Sequence, residues 1–116
     1  MFKKSLGEKM INNVVLTEII NYYGYDPYET IEKFILTEII PKYGCLTTVH
    51  RSNFDECGFP TIDFYIRYNV KLSFEDEEKL DAKVRDDIRI FCKNNGLCEA
   101  YRKCTIFVTV SGDVYG

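Results

Sequence analysis

Tryptophan is absent from this sequence and histidine occurs once, at His50. Any histidine-dependent base must therefore be that residue. No apolar run approaches the about 20 residues that span a bilayer, so no membrane association through a spanning helix is expected. The basic start Met1-Phe2-Lys3-Lys4 is followed by Gly7, Glu8, Lys9, Asn12 and Asn13. These interrupt what would have to be a signal-peptide core, and the expected location is cytoplasmic. Glycine is sparse and scattered, which excludes a glycine-rich phosphate cradle. An excess of positive charge is also missing. The net charge is −3, which argues against nucleic acid and anionic membranes as partners. The cysteines at 45, 57, 92, 98 and 104 are odd in number and contain no CxxC pair, so reduced thiols are expected rather than a disulfide scaffold.

What is present is the material of a core. Apolar residues make up 46% of the 116 positions and charged residues 28%, a globular balance and one domain's length. Aromatic residues reach 15%, with nine Tyr and eight Phe. Residues 1–44 read as a helical pair. Ser5 and Glu8 fit a capping box for a helix that carries Met10, Ile11, Val14, Val15, Ile19 and Tyr22 as an apolar stripe and stops at Gly24. Asp26, Pro27 and Glu29 open a second helix with Ile31, Phe34, Ile35 and Ile39 at helical spacing, and Pro41 and Gly44 mark its end. The pentapeptide Leu-Thr-Glu-Ile-Ile occurs in both, at 16–20 and 36–40. Two copies are too few for a solenoid, and convergent apolar faces explain them.

Residues 45–116 read as a strand–strand–helix–strand unit. A short strand covers 45–51 and a longer one 61–72. In the longer strand Ile62, Phe64, Ile66, Tyr68, Val70 and Leu72 share one face, and Asp63, Tyr65, Arg67, Asn69 and Lys71 the other. Ser73 caps a third helix with Leu80, Val84, Ile88 and Phe91 along one seam, ended by Asn95-Gly96. A last strand covers 102–111, with Cys104, Ile106, Val108 and Val110 inward and Thr105, Phe107, Thr109 and Ser111 facing away. The expected class is α+β, a two-layer sandwich with a three-stranded sheet. If the last strand lies beside the first, the sheet is antiparallel, most of a ferredoxin-like split unit lacking one strand. The alternative sets the last strand parallel beside the second. Sheet edges leave pairing into a homodimer open.

The chemistry-bearing residues form no strong constellation. Cys45 and His50, five apart on one strand, point to opposite faces, whereas Cys57 can fold back toward His50 from the following loop. A zinc site from Cys45, His50 and Cys57 with Asp55 lacks the paired spacing such sites use. No metal, cofactor or catalytic residue is expected, and the chain reads as non-enzymatic. Two surfaces invite partners instead. Tyr22, Tyr23, Tyr25 and Tyr28 crowd the corner between the helices, and tyrosine is enriched at binding hot spots. Glu75, Asp76, Glu77 and Glu78 give the third helix an acidic start. Together they point to a small interaction, regulatory or inhibitor protein with a protein partner. The second reading uses the outward sheet face, where Tyr65 and Phe107 with Arg67, Lys71 and Lys103 suit a small ligand or single-stranded nucleic acid. The acidic net charge and the lack of an RNP-type motif weigh against nucleic acid.

Overall fold

The computed structural model describes residues 13–43 and 47–110. Within them the chain begins with helix α1, Val14–Tyr23, where the Asn13 side chain accepts from the Leu16 N–H. The helix containing Val14 therefore starts there; the expected Ser5–Glu8 box, Met10 and Ile11 lie outside the described residues. Asn13 is fully buried and its amide also donates to the carbonyls of Asn53 and Thr61, which anchors the start of α1 to the two strands beneath it. Gly24, at φ 82°, takes the left-handed position that ends the helix.

Asp26 caps helix α2, Pro27–Phe34, by accepting from the Tyr28 N–H. The helix continues through a π-helical stretch, Ile35–Ile39, into α3, Ile40–Tyr43, and so passes Pro41 rather than ending there. Proline donates no hydrogen bond and its ring crowds the carbonyl four residues earlier. The wider π turn just ahead of Pro41, in which the Ile40 N–H reaches back to the Ile35 carbonyl, accommodates both. Ile31, Ile35 and Ile39 stay buried along one line.

Strand β1, Thr47–Phe54, pairs antiparallel with β2, Pro60–Tyr68. β1 runs three residues beyond its expected end because the connection is tight: the Asp55 carboxylate accepts from the N–H groups of Cys57 and Phe59. β2 stops at Tyr68, short of the expected Leu72, and the chain turns to reach the Ser73 cap of helix α4, Phe74–Asn94. Leu97 folds back under the end of α4, its N–H reaching the Cys92 carbonyl, and is buried. A short helix α5, Cys98–Arg102, follows where a loop and strand start were expected, and β3 is Thr105–Val110.

The strand order is β1-β2-β3, and β3 runs parallel to β2. The antiparallel, ferredoxin-like arrangement with β1 central is therefore not the one adopted. The long α4 carries the chain back along β2, so that the last strand lands beside the strand from which the crossover began. The sheet is mixed, and the fold class is α+β. One face of β2, formed by Ile62, Phe64, Ile66 and Tyr68, is sealed with Leu16, Ile19, Tyr28, Ile31, Val84 and Ile88 from the helices in a single core. No described helix is long and apolar enough to cross a membrane.

Candidate functional site

The strand register decides what the second face of the sheet carries. His50 of β1 pairs with Tyr65 of β2, and Tyr65 with Phe107 of β3, so the three rings stand in a row across the sheet. The Tyr65 and Phe107 rings are stacked, with centroids 5.0 Å apart and planes at 10°. His50 lies 6.1 Å from Tyr65. The helices take the other face, and Tyr65 and Phe107 keep 39% and 40% of their surface exposed. Arg67 stands in the next row, between Thr48 and Thr109 in register. Alternation along β2 foretold Tyr65 and Arg67 on the outward side of their strand, and alternation along the last strand foretold Phe107 on its outward side. His50 was assigned there neither by type nor by spacing, because its parity relative to Tyr65 depends on the turn at residues 55–59.

The electrostatics of this face are not those of a phosphate groove. Tyr65 has a raised pKa, through burial first and then through the negative charges of Asp63, Glu56 and Asp55. Asp63 is itself buried and accepts from the Thr61 hydroxyl. Of the expected cations Arg67 stands on this face, whereas the two lysines do not. Lys71 is exposed beyond the end of β2 and Lys103 caps α5 ahead of β3. Because β2 and β3 are parallel, these two lysines flank opposite ends of the sheet.

The tyrosine corner divides. Tyr22 is 70% exposed and Tyr25 is also exposed, each meeting Tyr23 edge to face. Tyr23 is half-buried and its hydroxyl accepts from the Ala100 N–H. Tyr28 is fully buried, with its hydroxyl donating to the Ala100 carbonyl at 2.8 Å. It is a core residue and offers no contact surface, a correction to its place in the corner. Burial pushes its pKa upward. Arg51 closes this region, 2.9 Å from the Asp26 carboxylate and with its guanidinium over the Tyr28 ring. Neither partner of that ion pair is more than one-sixth exposed.

Glu75, Asp76 and Glu78 are exposed and Glu77 is half-buried in the first turns of α4. They are not joined to the tyrosines. Ala100, on which the corner packs, follows the far end of the 21-residue α4, and a helix of that length spans about 30 Å. A groove of 340 Å³ runs between α3 and α4, lined by Phe34, Ile39, Lys42, Asp87, Ile90 and Phe91 among others. Its floor is the stacked Phe34–Phe91 pair, 4.0 Å between centroids. Asp87 accepts from both Lys42 and the Tyr43 hydroxyl. Those two bonds outweigh the effect of burial and hold its pKa below the ordinary value.

Among the described residues the cysteines do not gather into a site with His50. Cys57 is exposed in the β1–β2 turn, His50 stands on the outer sheet face, and Cys45 lies outside the described residues. No three of His, Cys, Asp and Glu converge among the described residues. Burial pushes the thiols of Cys92 and Cys104 up to about 12, which makes them poor nucleophiles. Comparison with known families, curated proteins and solved structures yields no match to this chain.

Proposed function

We propose that the protein is a non-enzymatic binding protein that recognises a protein partner through the outer face of its sheet. The row His50–Tyr65–Phe107 carries the reading: stacked, register-fixed and partly exposed rings on rigid strands form a preorganised anchor for a partner's side chains. The carboxylates of Asp63, Glu56 and Asp55 around Tyr65 favour a partner that presents apolar and cationic groups, such as arginine laid over an aromatic face. The same carboxylates oppose a phosphate backbone. Our reading extends to a regulatory or inhibitory role exerted through that contact.

The experiment is affinity capture from the source cell with the wild-type chain and with the Tyr65→Ala/Phe107→Ala variant. A protein retained by the first and lost by the second supports the reading. Capture that is indifferent to the substitutions overturns it. Binding of a single-stranded oligonucleotide that disappears in the same variant would move the site to nucleic acid. The exposed Tyr22 and Tyr25 supply the control: their replacement by alanine leaves sheet-face capture intact.

A further inference from the structure

The sheet has two edges, and they are unlike. β1 carries a register irregularity between Ser52 and Phe54, and His50 and Arg51 lie along it. Bulges and charges are the devices by which edge strands avoid further pairing. β3 has none of them. Its six residues, Thr-Ile-Phe-Val-Thr-Val, contain no charge, proline or glycine, and five are β-branched. Among the described residues it pairs with β2 alone, on one side. In a parallel pair alternate residues bond to the neighbour, so the remaining N–H and C=O groups of β3 face away from β2 along a straight edge.

We propose that β3 is a homodimer edge, pairing antiparallel with β3 of a second copy about a two-fold axis at Phe107. Three observations favour a second copy over a foreign strand. The edge is uncharged, so self-pairing sets no like charges opposite each other. Antiparallel pairing centred on Phe107 places Ile106 beside Val108 of the other copy and Thr105 beside Thr109. The buried-face residues thus meet their own kind and so do the outward ones. The register also joins two aromatic rows into one, with Phe107 beside Phe107 and a Tyr65 beyond each. The second copy then contributes half of a continuous six-stranded face, which extends the binding surface proposed above but does not depend on it.

Sedimentation velocity of the full chain across concentrations from about 1 to 100 µM reads the association directly through mass action. The expected species has roughly twice the 13.6 kDa chain mass. Thr105→Lys/Thr109→Lys sets lysines opposite lysines across the two-fold and is expected to weaken the dimer at least ~tenfold. Thr109→Lys alone gives a smaller effect, and circular dichroism of both variants checks that the fold persists. A wild-type monomer throughout, or a dimer unmoved in folded lysine variants, overturns the proposal. Tyr22→Ala, at an exposed ring on α1 and off the sheet, leaves the dimer intact. A monomer that still captures a partner through Tyr65 sinks the dimer alone, and a dimer whose capture ignores Tyr65 sinks the partner reading alone.

Discussion

Phe64 and Tyr65 are neighbours in one strand and have opposite fates. Phe64 is completely buried under α1, α2 and α4, with the Tyr28 ring tilted against it at 6.2 Å. Tyr65 stands on the other face, stacked on Phe107 and open. Both faces carry aromatic residues, although the inner row of β2 is otherwise Ile62 and Ile66 and the outer row holds Asp63 and Arg67, so an aromatic ring by itself does not separate core from surface. What separates them is the helix layer, and it is tied to one side by specific polar contacts: Asn13 to the hairpin, Arg51 to Asp26, and Tyr28 to Ala100. The difference teaches that an aromatic face is left open where the described residues supply helices to one side of the sheet alone.

The comparison breaks most sharply at that adjacent pair. Phe64→Ala is expected to cost about 3–5 kcal/mol by opening a cavity in the core. Tyr65→Ala is expected to change stability by less than about 1 kcal/mol while abolishing partner capture. Equal losses in urea unfolding would mean that the outer face is also core. Next is the fastening of the helix layer. Asp26→Ala removes the α2 cap and leaves Arg51 without its carboxylate in a poorly exposed place, at an expected cost of about 2–3 kcal/mol. Two buried hydroxyls give a finer contrast. Tyr28→Phe forfeits the bond to Ala100 and is expected to destabilise by about 1 kcal/mol. The Tyr68 hydroxyl is buried with no hydrogen-bond partner among the described residues, so Tyr68→Phe is expected to be neutral or stabilising. Thermal unfolding of the two variants side by side measures the difference.

The smallest effect is in the tie between α3 and α4. The Asp87 pKa is lower in the folded protein than its ordinary value of 3.8. Its contribution is thus fully present above that ordinary value and is lost as pH falls through the lower folded value. Asp87→Asn is expected to reduce stability by about 0.5–1 kcal/mol near neutral pH. The gap to wild type should close as the medium is taken below pH ~4. A gap that stays constant across a series of acid unfolding curves would remove Asp87 as the titrating group.

Much of this was legible in residues. Asp26-Pro27 and Ser73 announced helix starts, Gly24 and Gly96 their ends, and the alternation of β2 separated Phe64 from Tyr65 correctly. Less was legible where meaning depends on distant partners. Tyr28 is as polar and aromatic as Tyr22, and only the arrival of Ala100 and Phe64 makes it core. His50 joined the outer row only through pairing across a turn. Lys71 and Lys103 left the face because the strands are shorter than their patterns.

The sequence by itself determined local structure: caps, periodicities and the faces of strands, since these follow from hydrogen bonding and burial within a few residues. Tertiary structure decided the rest. The pentapeptide Leu-Thr-Glu-Ile-Ile is α-helical at 16–20, whereas its second copy lies mostly in a π turn. Leu16 is buried and Leu36 is exposed. Identical residues diverge because Pro41 and a different set of packing neighbours act on the second copy. Strand order was settled in the same way. Period-2 patterns fit either neighbour of the last strand, and the crossover through α4 places it beside β2. That placement sets Tyr65 and Phe107 side by side, an adjacency that neither residue's own sequence neighbourhood determines.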